Sequence, residues 1–168
     1  MDNIFGAGTV GEYAARAALG LGARVKVFDN SISKLRKLQH SLNAPIYTST
    51  LQPKSIAKAL MRADVAIGAI RGKNRSPICA TEEMIETMKE GSVIIDVSID
   101  RGGCFETSNI TTHKTPTFIK HGVVHYCVPN IPSRVARTAS YSLSNLLTPI
   151  ILRIGDFGGL DNVISSDV

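Results

Sequence analysis

The stretch that most limits what this chain can become is Asn3-Ile-Phe-Gly-Ala-Gly-Thr-Val-Gly11. Apolar residues run into Gly6-x-Gly8-x-x-Gly11, and a helical pattern starts at once. A strand, a three-glycine turn and a helix in immediate succession form the context in which this spacing binds a dinucleotide. Each glycine has its own task there. Gly6 permits the tight turn out of the strand, Gly8 lets a pyrophosphate approach the backbone, and Gly11 lets the helix lie against the strand. The helix, with Thr9 and Val10 in its opening turn, aims free N–H groups and its positive dipole end at the phosphates.

The spacing alone is a weak signal, and the next strand supports it. Arg24-Val-Lys-Val-Phe-Asp29 ends in an acid 18 positions after Gly11, near the offset of about 20 expected for such a site. A carboxylate there accepts hydrogen bonds from the adenosine ribose hydroxyls and repels a 2′-phosphate. Asp29, with Asn30 beside it, therefore points to NAD rather than NADP. The other reading of Asp29 is a cap for the following helix, a role that Asn30 or Ser31 can also fill.

Further along, strands and helices alternate. The first helix is expected to carry Val10, Tyr13, Ala14, Ala17 and Leu21 on one face and to end at Gly22. Ile32, Leu35, Leu38 and Leu42 mark a second, with Lys34, Arg36 and Lys37 on its solvated side. Pro45-Ile-Tyr-Thr48 reads as a strand, residues 52–62 as a helix and Asp64-Val-Ala-Ile-Gly68 as a strand. The basic loop at residues 69–77, which includes Ile70, leaves that strand at its C-terminal end, the edge where open α/β sheets bind ligands. A helix is expected from Thr81 to Gly91, then a buried strand Ser92-Val-Ile-Ile-Asp-Val97. After an irregular stretch comes the strand Val123-Val-His-Tyr-Cys-Val128. A long helix after Pro132-Ser133 carries Val135, Ala139, Leu143, Leu146, Ile150 and Ile154 on one face, with a kink expected at Pro149 and a polar tail from Gly155. The alternation predicts an α/β fold: a doubly wound parallel sheet of the Rossmann type in three layers. The expected division is a nucleotide-binding domain over residues 1–132 and a helix with tail over 133–168.

Composition excludes other classes. Hydrophobic residues make up 43% and charged residues 20%, an ordinary soluble balance; aromatics are 5%, so aliphatic side chains are expected to fill the core. The net charge of +5 is scattered rather than gathered on one face, which argues against nucleic acid. No apolar run approaches the roughly 20 residues of a membrane helix. Asp2-Asn3 precedes the first strand directly, so no leader is expected, and the short opening strand suggests a chain starting inside a longer protein. Cys79, Cys104 and Cys127 show neither CxxC nor metal spacing and read as reduced cytoplasmic thiols. Cys104 has no basic residue near it in sequence and reads as packed rather than nucleophilic. His113, His121 and His125 lack ligand spacing and read as structural. No metal site is expected, and Asp96 fits an anchoring acceptor as well as a functional group.

Two stretches exceed what a generic sheet needs: Val97-Ser-Ile-Asp-Arg-Gly-Gly-Cys-Phe-Glu106 and His125-Tyr-Cys-Val-Pro-Asn-Ile-Pro132. With the glycine turn, Val25-Lys-Val-Phe-Asp29 and Ala63-Asp-Val-Ala-Ile-Gly-Ala69, they resemble the alanine dehydrogenase family from about residue 3 to about residue 155. More distantly, the chain resembles the NAD-binding part of proton-translocating transhydrogenase. The first resemblance implies NAD-dependent oxidative deamination of L-alanine to pyruvate and ammonia. It implies that Asp100 works at the active site beside nicotinamide and substrate, and that Val128, Asn130 and Ile131 hold the nicotinamide end. It also implies a partner half, absent from this sequence, that grips the small amino-acid substrate, and a homo-hexameric parent. The loop at 69–77 departs from longer, more apolar versions in the family.

Overall fold

The computed structural model describes residues 1–156, 158 and 159; most of the tail expected from Gly155 lies outside them. The chain divides into two compact units, Met1–Pro129 and Asn130–Val168.

In the first unit the elements are β1 (Asp2–Phe5), α1 (Thr9–Gly20), β2 (Val25–Phe28), α2 (Ile32–Leu42), β3 (Tyr47–Ser49), α3 (Pro53–Leu60), β4 (Val65–Gly68), α4 (Glu82–Glu86), β5 (Val93–Asp96), β6 (Thr117–Lys120) and β7 (Val123–Tyr126). Among the described residues they form a seven-stranded sheet in the order β3-β2-β1-β4-β5-β7-β6. The chain winds outward from β1 in one direction, then restarts at β4 and winds the other way. β1 and β4 are thus neighbours at the switch point, paired in parallel register along their whole length from Asp2 beside Val65 to Phe5 beside Gly68.

The two windings give two cores. On one face Ala15 and Ala18 of α1 and Leu35, Leu38 and Leu42 of α2 pack with Ile4, Val25 and Val27. On the other, Ile56, Ala59 and Leu60 of α3 and Ile85 of α4 pack with Phe5, Phe28, Ile94 and Phe105. The alternation of Ile4 with Phe5, and of Val27 with Phe28, is the two-residue period of a strand covered on both sides. The resulting three layers are those expected from the sequence.

Several details differ from expectation. The buried stripe of α1 is Gly11, Ala15 and Ala18, whereas Tyr13 is 68% and Leu21 89% exposed. The small side chains face the sheet because only they let the helix approach it, and the larger ones are left outside. Ile32 is likewise exposed. The sheet is not wholly parallel: β6 was not anticipated and pairs antiparallel with β7 at the edge. α4 holds only five residues. The core is not purely aliphatic either. Phe5 stacks on Phe28 at 5.1 Å between centroids, and Phe105 meets Phe5 edge-on at 5.5 Å.

β6 is held partly by a buried histidine. Phe118 stacks on His125 at 4.7 Å. His125 Nδ1 donates to the Val123 carbonyl at 2.9 Å, so Nε2 is left to accept from Thr107 Oγ1 at 2.7 Å.

The second unit opens with a short 3-10 turn, Ile131–Val135, and continues as α5 (Ala136–Asp156). The helix continues through Pro149, and Leu143, Leu146 and Ile150 are exposed. Among the described residues no helix is long and apolar enough to cross a membrane.

Burial lowers the pKa of His125 below the ordinary histidine value. The unfolded chain therefore takes up a proton near pH 6.5, where the fold still refuses one, and stability falls as the pH drops below that point. The denaturation midpoint is expected to be lower at pH 5.5 than at pH 7.5. His125→Asn should shrink the difference; an unchanged difference contradicts the neutral buried imidazole.

Candidate functional site

The switch point is built from backbone contacts. Gly6 has φ +114°, and a Cβ on it would lie 2.4 Å from the Ala69 carbonyl oxygen. A Cβ on Gly11 would lie 1.9 Å from the Gly6 carbonyl oxygen. A Cβ on Gly8 would meet nothing within 4 Å. The first two glycines are thus fixed by packing inside the protein, and the third faces open space at the N-terminus of α1.

Asp29 ties this turn to β2. Its Oδ2 accepts from the Ala7 N–H at 2.8 Å, and its Oδ1 from the Ser31 N–H at 2.7 Å. Capping of α2 falls to Ser31, whose hydroxyl accepts from the Lys34 N–H at 3.4 Å. Each Asp29 oxygen retains a second lone pair on a half-buried side chain.

Two clefts flank the N-terminal turn of α1. One, of about 290 Å³, is lined by Val10, Ile70 and Arg71 on one side and Ser98, Asp100 and Arg101 on the other. The second, of about 210 Å³, is lined by Ala7, Gly8, Thr9 and Glu12 together with Lys34 and Lys37. Lys34 and Lys37 are solvated as expected, but they also border the glycine turn. Periodicity along α2 showed them on its wet side; only the packing of α2 beside α1 shows what that side overlooks.

The walls of the first cleft are held by polar contacts. The Ile70 carbonyl accepts from both Ser76 Oγ and Ser98 Oγ at 2.9 Å. The Ser76 N–H donates to the Arg101 carbonyl at 2.9 Å. Beneath them lies Asp96, fully buried at the end of β5. Its Oδ1 accepts from the Ser98 N–H at 2.9 Å, and its Oδ2 from the Cys104 N–H at 2.8 Å and the Ser108 hydroxyl at 2.7 Å. Asp96 is therefore an anchor that shapes the 3-10 turn Val97–Arg101, on which Asp100 stands exposed.

The expected site residues separate accordingly. Val10, Ile70 and Asp100 meet in the first cleft and Gly8 and Thr9 in the second, while Gly6, Gly11 and Asp29 shape the turn between. Asn30 stands apart: it is exposed, and its Oδ1 accepts from the Leu51 N–H at 3.2 Å. Val128 is 1% exposed, its side chain buried in the first unit. Asn130, with φ +52°, and Ile131 open the second unit.

One surface group escaped sequence reasoning because its members are far apart in the chain. Glu82, Glu86 and His121 bring donor atoms within 4.8 Å of one another. Glu82 is already paired with Lys120 and with His121, each at 2.6 Å.

The family described as alanine dehydrogenase/PNT, C-terminal domain, matches residues 3–168. The chain belongs to that family. It is 44% identical over 156 residues to an alanine dehydrogenase of Halomonas elongata, covering 92% of this chain. It is 45% identical over 159 residues to an alanine dehydrogenase of Bacillus subtilis, covering 94%. In both cases the chain spans 42% of the relative's length. Among solved structures, an L-alanine dehydrogenase superposes with a TM-score of 0.91 at 37% identity, over 99% of this chain and 46% of that one. A transhydrogenase from Sinorhizobium meliloti superposes with 0.78 at 26% identity, over 91% of this chain and 44% of that one. In this member of the family, the alanine dehydrogenase/PNT C-terminal fold sets its glycine turn between two clefts at the sheet's switch point.

The glycine contacts give a direct check. Gly11→Ala forces a methyl group into the Gly6 carbonyl and should cost at least about 2 kcal/mol of stability. Gly8→Ala meets nothing and should leave the unfolding free energy within about 0.5 kcal/mol of the parent. Equal loss in the two variants would contradict the packing described.

Proposed function

We propose that this chain is the NAD-binding part of an NAD-dependent L-alanine dehydrogenase, acting in the cytoplasm as part of a homo-hexamer. The observation that carries the reading is the open Cα of Gly8 at the N-terminus of α1, with one cleft on each side of it. A dinucleotide is two nucleosides joined by a pyrophosphate, and this arrangement offers a place for each part. The pyrophosphate would meet the free N–H groups and positive end of α1. The adenosine would take the cleft beside Lys34, its ribose hydroxyls donating to the spare lone pairs of Asp29. The nicotinamide would take the cleft between Val10, Ile70 and Asp100. When bound, NAD supplies the hydride acceptor for oxidation of the amino acid.

The chain's own residues hold and orient. Asp100, raised on the turn that Asp96 anchors, carries a carboxylate suited to orienting the substrate ammonium or a catalytic proton. Asp29 would repel a 2′-phosphate. The groups that grip the alanine carboxylate belong to the partner half of the same enzyme, which the 42% coverage of the relatives leaves room for. Because hydride transfer needs both reactants held at near contact, this chain alone would bind cofactor without turning over substrate. Identity of 40–45% with alanine dehydrogenases, against 26% with the transhydrogenase, favours deamination over hydride transfer to a second nucleotide.

Calorimetry tests this. The purified chain should bind NAD more tightly than NADP. Asp29→Ala should weaken NAD by at least about tenfold, the loss expected for hydrogen bonds to a charged group, and narrow the preference over NADP. Unchanged NAD affinity would refute the role of Asp29, and alanine-dependent NADH formation by the purified chain would refute the need for the other half.

A further inference from the structure

Two of the three cysteines lie side by side. The Cys79 N–H donates to the Cys104 carbonyl at 2.8 Å, and Cys79 Sγ lies 3.1 Å from the same oxygen. The next residues, Ala80 and Phe105, form a parallel β-bridge. Cys79 and Cys104 are therefore neighbours on adjacent extended segments, which run about 4.8 Å apart. A disulfide spans Cα atoms roughly 4.4–6.8 Å apart, so the backbone needs no rearrangement to accept one. Cys79 is partly exposed and Cys104 is buried.

We propose that Cys79 and Cys104 form a reversible thiol-oxidation site, with Cys79 the thiol that meets the oxidant and Cys104 the thiol that resolves it. A hydroperoxide is the oxidant. Its O–O bond breaks as Cys79 Sγ takes one oxygen, giving the Cys79 sulfenic acid and releasing an alcohol, or water from hydrogen peroxide. Cys104 Sγ then attacks Cys79 Sγ. The S–O bond breaks, and the departing hydroxide takes the Cys104 proton as water. Two thiols are oxidised by two electrons and one peroxide is reduced.

The environment assigns the roles. The adjacent Cys79 thiol, burial, and the charge of Asp96 all push the Cys104 thiol well above its ordinary pKa. Cys104 is thus protected from direct oxidation, which needs an exposed thiolate. Its sulfur also lies 3.8 Å from Asp96 Oδ1, against the group that anchors the turn carrying Asp100. The disulfide would join, covalently, the segment that follows the basic loop at 69–77 to the segment that follows that turn. Hydrogen bonds already hold these two segments together.

The test treats the purified chain with one equivalent of hydrogen peroxide under non-reducing conditions. Expected are the loss of two of the three titratable thiols, a monomer lighter by two hydrogen atoms, and a peptide map joining Cys79 to Cys104. The melting temperature should rise by several degrees, because a crosslink restricts the unfolded chain, and a phosphine reductant should restore the original value. Cys79→Ser, at the partly exposed position, should abolish the crosslink while leaving the fold intact, and Cys127→Ser should leave the crosslink unchanged. A crosslink through Cys127, a disulfide between two chains, or stepwise over-oxidation of Cys79 without a crosslink would overturn the proposal.

Discussion

Everything at the candidate site depends on three backbone segments meeting at Gly6. The helix α1 can start where it does only because Gly11 has no side chain to strike the Gly6 carbonyl. The loop after β4 can lie alongside only because Gly6 has none to strike Ala69. These contacts bring the end of β1, the start of α1 and the end of β4 into van der Waals range at the point where the winding of the sheet reverses. Any side chain at either position would push one of the three away, and the two clefts flanking α1 would lose their common wall. The middle glycine obeys a different constraint, since nothing inside the protein forbids a methyl group at Gly8.

A buried carboxylate does for the far wall what glycine packing does for the near one. Asp96 would be costly inside the sheet without partners. Its oxygens instead take backbone N–H groups of Ser98 and Cys104 and the hydroxyl of Ser108. Together with the buried Ile99, Cys104 and Phe105, these bonds give an irregular segment a defined shape and set the turn on which Asp100 stands. The Ile70 carbonyl, taking two serine hydroxyls, joins the basic loop to this same turn. Both walls of the cleft are thus held by hydrogen bonds that sit below its surface.

The glycine turn, Asp29 and the winding of the parallel strands were legible because each leaves a local mark: a fixed spacing, an apolar run, a turn residue. Other features left no such mark. On α1 side-chain size does not mark burial, because close packing on a sheet buries the smallest residues, Gly11, Ala15 and Ala18. β6 carries no local mark either, since its four residues, Thr-Phe-Ile-Lys, follow Pro116 and bury little. Its pairing depends on β7 and on the stack of Phe118 with His125, contacts that no local pattern encodes. The double role of Asp29 in bonding Ala7 and Ser31, and the placement of Lys34 and Lys37 beside the glycine turn, are tertiary facts of the same kind. The hydrogen bond from the Leu51 N–H to Asn30 Oδ1 is another such tertiary fact.

The central claim is that one dinucleotide lies across the N-terminus of α1, with a nucleoside in each flanking cleft. A backbone amide NMR titration of the chain with NAD tests it most directly. The largest shifts should fall at Ala7, Gly8, Thr9 and Val10, with further shifts at Ile70 and Arg71 and across Val97–Arg101. Shifts concentrated instead around Leu19, Arg24, Val25 and Tyr47, which line a cavity of about 350 Å³ at the other edge of the sheet, would contradict it.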